Sequence, residues 1–198
     1  MALNKSRYPQ ILSVHLFLLN GDKILLQLRK NTGYRDGYWS VIAGHVEAKE
    51  SAIEAMIREA KEEAGIEISR EDLMLVHVMH RFENQERVDF FFKATKWKGE
   101  PTIKEPDKAG ALEWFSLFEL PKNVVPYVRQ AIELGLMKGI IYSEYGWKEA
   151  KKDENRMYQN DINNTIVESG RVKGDIENER LKPGGCAPTA DPPGLEPG

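Results

Sequence analysis

Residues 51–65 constrain the fold of this chain more than any other stretch. Ser51 and Glu54 stand in the S-x-x-E spacing of a reciprocal helix cap. Gly65 supplies the left-handed stop that commonly ends a helix. Between these signals Ile53, Met56, Ile57, Ala60 and Ala64 recur at helical spacing, a stripe that needs a core to pack on. Glu59, Glu62 and Glu63 fall on a different arc and are neighbours at i, i+3 and i+4. Like charges at i, i+4 cost an isolated helix about 0.2–0.5 kcal/mol. A Glu-rich helix is ordinarily a solvated face. A divalent cation among the carboxylates would offset their repulsion, and clustered carboxylate oxygens suit Mg²⁺ or Mn²⁺. Arg58 lies four residues from both Glu54 and Glu62 and can hold carboxylates in place.

The chain on either side of this helix reads mainly as strands. Residues 11–19 are rich in β-compatible side chains, Asn20-Gly21-Asp22 is a turn signal, and residues 23–29 resume the pattern, which predicts a hairpin. Residues 31–37 read as a loop and 39–42 as a short strand running into Ala43-Gly44. Two further strands are predicted over 73–82 and 87–96, and another over 113–117. Residues 118–120 and 127–134 read as helical. Strands grouped around one strong helix, with more helix at the end, imply an α/β layered fold with a mixed sheet rather than repeated βαβ units.

The pattern thins out after Trp147. Beyond it single apolar residues are scattered among charges of both signs, and the last stretch holds five of the ten prolines. Such a segment buries too little apolar surface to offset its ordering entropy. The sequence therefore divides into a folded domain, 1–147, and a polar, Pro/Gly-rich tail, 148–198, with one short helix expected around 161–172. Lys and Arg number 28 against 31 Asp and Glu, a formal net charge of −3, which argues against a nucleic-acid binder that relies on bulk charge and against a basic membrane-surface protein. No apolar run is long enough to span a bilayer. One cysteine, Cys186, cannot build a disulfide framework or a Cys-rich zinc site. With no secretory signal visible at the N-terminus, a reducing, cytoplasmic setting is the default expectation.

The full spacing around the helix is more specific than the helix itself. Gly44, five residues, Glu50, seven residues, then Arg58-Glu59-Ala60-Lys61-Glu62-Glu63-Ala64-Gly65-Ile66 reproduces the Nudix box. At background frequencies its fixed positions match by chance roughly once in 10⁷ start positions. The sequence thus resembles the Nudix (MutT-like) hydrolase family. It departs from the usual pattern in the Ala43-Gly44-His45 entry and in Ala60 at an often aliphatic position. The resemblance implies an α/β/α sandwich with a loop–helix–loop motif that binds Mg²⁺, with Mn²⁺ as a substitute. It implies hydrolysis of a nucleoside diphosphate linked to another group. Carried over, it makes Glu59, Glu62 and Glu63 metal ligands, with the Ala43 carbonyl as a further ligand and Glu50 and Arg58 as the orienting network. A weaker likeness to mutator-type members runs through Trp97–Pro101, Lys104-Glu105 and the strand that begins at Glu113. It matches Glu105 to a loop glutamate that reaches the metal site.

These residues suit the chemistry. A phosphoanhydride resists attack because its anionic oxygens repel the nucleophile, and cations that neutralise them and a carboxylate that accepts the water's proton remove the barrier. Glu105 or a box glutamate is the candidate base. Arg29, at a strand end, is a candidate phosphate clamp, and Tyr34, Tyr38 and Phe82 are candidates to stack a base, although aromatic side chains are most often core. His15, His77 and His80 show no metal-ligand spacing and read as structural. The expected partner is a small-molecule nucleotide, with neither nucleic acid nor membrane, and a homodimer is left open. Three function classes compete: a pyrophosphohydrolase of a nucleoside triphosphate or a nucleotide sugar, an isoprenoid-diphosphate isomerase, and a non-catalytic nucleotide-binding module. The isomerase would want a cysteine inside the domain, and the module would be expected to have lost box carboxylates.

Overall fold

The computed structural model describes residues 10–148. Strand β1, Ile11–Asn20, and β2, Lys23–Arg29, are joined by the expected turn at Gly21. The single strand predicted over 39–42 is two, β3 (Trp39–Ser40) and β4 (Ile42–His45), because β3 pairs with β2 and β4 pairs with β1. The chain changes partners at the buried Val41. Helix α1 runs over Ala52–Ala64. Strands β5 (Met74–Phe82) and β6 (Glu86–Ala94) form an antiparallel pair, and β6 runs parallel to β1. Strand β7, Ala109–Ser116, begins four residues before the predicted start because its partner β2 extends the ladder back to an Arg29–Ala109 pair.

Residues 118–120 are not helical. Glu119 N–H closes a tight turn on the Ser116 carbonyl, and Pro121 follows, which disfavours helical geometry before it. Helix α2, Pro126–Ala131, continues as a π-helical turn over Ile132–Met137 and leads to β8, Tyr142–Tyr145, which the sequence pattern did not reveal. Everything expected of the tail beyond residue 148, including the helix around 161–172 and Cys186, lies outside the described residues.

The mixed sheet has the order β3-β2-β1-β6-β5-β8, with β4 on β1 and β7 on β2. Its central strands are buried on both faces, as parallel neighbours usually are. Along β1 the side chains alternate between two cores. Val14, Leu16 and Leu18 pack with Met56, Ala60 and Ala64 of α1, whereas Phe17 and Leu19 pack with Val128 and Ile132 on the α2 side. This is the α/β/α sandwich expected. The alternation also puts a polar residue, His15, on the α2 side, stacked on Phe91 with ring centroids 4.5 Å apart.

Candidate active site

The ends of α1 are fixed as the sequence predicts. Glu54 N–H donates to Ser51 Oγ (3.3 Å) and Ser51 N–H donates back to Glu54 Oε2 (2.9 Å). Gly65 adopts φ +68°, and its N–H closes on the Lys61 carbonyl at 3.0 Å. The following loop is pinned to this end of the helix: Thr102 N–H donates to Ala64 O (2.9 Å) and Lys104 N–H to Glu63 O (3.0 Å). A turn closed by Lys108 and Ala109 N–H on the Glu105 carbonyl then delivers Glu105 to the same opening as Glu59, Glu62 and Glu63.

That opening is a cleft of about 630 Å³. Glu63 sits deepest among its carboxylates, accepting hydrogen bonds from the Gln27 side chain (2.9 Å) and from Ala43 N–H (3.1 Å). Burial pushes its pKa up to about 7, and the nearby charges of Glu59 and Glu105 add to that shift against the two hydrogen bonds. Burial likewise raises Glu59, with Glu62 and Glu105 adding to the effect and Arg58 opposing it. Arg58 is the hub of the network. It donates to both oxygens of Glu50 (2.9 and 3.0 Å), to Glu59 (2.7 Å), to Glu62 (3.0 Å) and to the His45 carbonyl (3.0 Å). Its bonds hold Glu50 below the usual carboxylate range. A Cβ at Gly44 would stand 1.8 Å from Glu59 Oε1, so any other residue there would displace the Glu59 carboxylate from its position.

The donor set fits a hard divalent cation. Glu59, Glu63 and Glu105 repel one another in a partly desolvated cleft, and only a cation relieves all three at once. Among the described residues no three such groups stand close enough to grip an ion as they are. Arg58 holds Glu59 and Glu62, and Lys108 Nζ holds Glu105 at 2.9 Å, so metal binding would exchange these ion pairs.

The other sequence candidates are placed as follows. Arg29 lines the cleft, but its Nε and Nη2 are spent on the Tyr34 carbonyl (2.8 Å) and Thr32 Oγ1 (2.9 Å), holding the 31–37 loop. Tyr34 also lines the cleft. Its hydroxyl donates to Glu83 (2.7 Å), and the Arg29 and Arg35 guanidinium carbons lie 5.4 and 5.9 Å from its ring centre. Phe82 is turned elsewhere: its ring packs on Trp147 with centroids 5.5 Å apart, and it is not among the residues lining the cleft. Nor is Tyr38, whose ring faces Arg35. An aromatic at the end of β5 has apolar neighbours available, and burying its face there is favoured over lining a charged opening. Lys108 and Gln27 were missed, because an isolated lysine or a strand glutamine carries no motif.

The sequence reading also set His15 aside, yet it joins a buried polar cluster in the cleft wall. His15 Nε2 is 3.3 Å from Asp89 Oδ1, and Arg81 donates to Asp89 (2.5 and 3.2 Å) and to Glu83 (2.7 Å). Burial lowers the His15 pKa against the pull of Asp89. Burial opposes ionisation of Asp89 too, but His15 and Arg81 outweigh it and hold the carboxyl below its ordinary value. His77, by contrast, is fully buried and ties β5 to the Ile140 carbonyl (2.7 Å) and Ser143 Oγ (2.8 Å).

The NUDIX domain profile matches residues 9–134. The NAD-capped RNA hydrolase NudC of Pseudomonas entomophila is 30% identical over 115 residues, 58% of this chain and 40% of that protein. The 8-oxo-dGTP diphosphatase of Proteus vulgaris is 31% identical over 84 residues, 42% of this chain and 74% of that protein. The chain thus spans about two fifths of the length of the NudC relatives. The MutT NUDIX hydrolase structure from Burkholderia pseudomallei superposes with a TM-score of 0.59 at 29% identity, covering 64% of this chain and 98% of that one. With the profile matched over most of the chain, and the box carboxylates gathered in one cleft, the chain belongs to the NUDIX family.

Proposed function

We propose that this chain is a divalent-metal-dependent pyrophosphohydrolase acting on a nucleotide, with a nucleoside triphosphate favoured over a nucleotide sugar. The observation that carries the reading is the convergence of Glu59, Glu63 and Glu105 on one cleft beside Lys108 and Arg29. Glu59, Glu62 and Glu63 would hold Mg²⁺ or Mn²⁺, which when bound neutralises the phosphate oxygens and makes the anhydride attackable. Arg58 keeps Glu59 and Glu62 oriented, and Glu50 keeps Arg58 oriented. Glu105, outside the helix, is the candidate acceptor for the proton of the attacking water, with a box glutamate as the alternative. In that step the water oxygen bonds to phosphorus, its proton passes to the carboxylate, and the bridging oxygen leaves with the departing phosphate. Lys108, freed from Glu105, is a cation for the departing charge.

Of the two relatives, one is an 8-oxo-dGTP diphosphatase, an enzyme of a nucleoside triphosphate, which supports the substrate class, and the other an NAD-capped RNA hydrolase. The net charge of −3 favours a small nucleotide over a polyanionic RNA. We take the catalytic domain to end near residue 147. The test is a screen of nucleoside triphosphates, nucleotide sugars and dinucleoside polyphosphates with Mg²⁺, reading the phosphorus products. Release of a nucleoside monophosphate and pyrophosphate from a triphosphate supports the reading. Turnover of nucleotide sugars alone would remove the triphosphate preference, and no turnover of any would remove the activity.

A further inference from the structure

Among the described residues, three arginines and one lysine line the cleft, and their partners set the lysine apart. Arg81 is held by Asp89 and Glu83, Arg87 by the His45 ring and Gln85, and Arg29 by Thr32 Oγ1 and the Tyr34 carbonyl. None of these partners belongs to the carboxylate cluster of the site. Lys108 instead pairs with Glu105, Nζ to Oε1 at 2.9 Å. Its side chain is 62% exposed, against 6% for Arg81. An ion pair so exposed shifts an equilibrium by about fivefold at most, so this one is easily exchanged. The backbone beneath it is anchored on both sides: Lys108 N–H donates to Glu105 O (3.0 Å), and Lys108 O accepts Lys30 N–H (2.8 Å). A change of partner therefore falls to the flexible four-carbon stem.

The charges around Lys108 show what the exchange would be. Its bond to Glu105 raises its pKa, and the charges of Glu63 and Glu59 add to that against desolvation. Lys108 is thus a tethered cation in the field of the carboxylates that would hold a divalent ion. It also lines a side pocket of about 200 Å³, together with Arg29, Glu63 and Glu105. Two cationic and two acidic side chains face that pocket, so in the metal-free protein a phosphate group there would meet carboxylates as well as cations. With a divalent ion on the carboxylates, Arg29 and Lys108 are left unopposed, and an ammonium on a flexible stem is a point charge suited to phosphate.

Resting on the reading of the site as a metal-dependent pyrophosphohydrolase, we propose that Lys108 couples the metal to the substrate: it holds Glu105 while the site is empty and turns its ammonium to a substrate phosphate once Glu105 is engaged by the cation. The exchange has two consequences. Glu105 is kept from acting as a base until the cation is in place. Metal and phosphate also strengthen each other's binding, and by the same factor, since coupling between two ligands is reciprocal.

The test reads binding rather than turnover. Metal-free, full-length protein is titrated with Mn²⁺, with and without saturating inorganic phosphate, and free Mn²⁺ is read by electron paramagnetic resonance. Without phosphate, Lys108→Met is expected to bind Mn²⁺ about threefold more tightly than wild type, because the internal competitor for Glu105 is gone. With phosphate the order should reverse, because the variant lacks the ammonium that phosphate would take. Lys108→Arg keeps the charge and should follow wild type in both conditions. In a Glu105→Gln background, Lys108→Met should no longer tighten Mn²⁺ in the absence of phosphate, which assigns the effect to this pair. A lysine that only supports the loop would not change the sign of its effect with phosphate. Anything short of opposite shifts for Lys108→Met in the two conditions would overturn the coupling while leaving the metal site standing. No Mn²⁺ binding to wild type would remove the metal reading and the coupling with it.

Discussion

On the α1 wall of the cleft, like charges are crowded and only partly compensated; on the β1–β5–β6 wall the buried charges, Arg81 and Asp89, are paired with each other. Glu59 and Glu63 are pushed towards the protonated form by burial and by neighbouring carboxylates, Glu105 among them for both. Asp89, more deeply buried than either, stays ionised because Arg81 and His15 face it. The same physics gives opposite outcomes because one wall carries its counter-charges in the chain and the other leaves room for one from outside. A site that binds a cation must be destabilised without it.

This contrast can be broken most severely by withdrawing the cation. Excess EDTA should abolish turnover, and added Mg²⁺ or Mn²⁺ should restore it, measured as pyrophosphate release. Turnover undiminished in chelator would mean that the crowded wall is merely acidic. Next in size, Glu63→Gln and Glu62→Gln should each lower kcat by about 10²-fold or more, as loss of a group acting on the transition state does. On the paired wall the same scale of effect should appear in stability rather than rate. Arg81→Met strands the buried Asp89 carboxylate, and loss of one partner of such a pair costs about 3–5 kcal/mol in denaturant unfolding.

A smaller effect separates the two walls by pH. The Glu63 pKa is raised from 4.5 in the unfolded chain to about 7 in the metal-free fold, so the folded state binds more protons across that window. The Glu63 contribution to metal-free stability is therefore present below pH 4.5 and lost as pH rises to 7, whereas the lowered pKa of buried His15 contributes with the opposite sign. Thermal unfolding of wild type and Glu63→Gln checks this by difference: wild type should lose more stability than Glu63→Gln between pH 4.5 and 7. Equal pH dependence in the two would contradict the burial of Glu63. Smallest is Glu105→Gln, expected to lower kcat by about tenfold with less change in KM and to remove the acidic limb of the pH–rate profile. An unchanged profile would pass the proton to a box glutamate.

The α1 wall was legible in the sequence because its chemistry is periodic. The cap, the stop and the three glutamates lie within one helix, where spacing alone fixes who neighbours whom. The role of Gly44 was visible as a motif position, but its reason, the close approach of Glu59, is a distance between elements. The paired wall was not legible, since Ser13, His15, Arg81 and Asp89 come from three strands and meet only through sheet register. His15 read as an ordinary polar residue in an apolar strand, and Phe82 as a stacking candidate, because a strand pattern tells which residues share a face but not what that face meets. β8 was missed for a related reason. Its four residues alternate weakly, and it is held by pairing with β5 and by the His77–Ser143 bond, neither of which is local.

The central claim is that the α1 wall is a cation site completed from outside the chain. Titrating metal-free protein with Mn²⁺ and reading free Mn²⁺ by electron paramagnetic resonance tests it directly. The account predicts saturable binding that Mg²⁺ displaces, that weakens at least tenfold in Glu59→Gln and Glu63→Gln, and that Arg81→Met leaves intact. Binding of equal strength in wild type and both glutamine variants would contradict it.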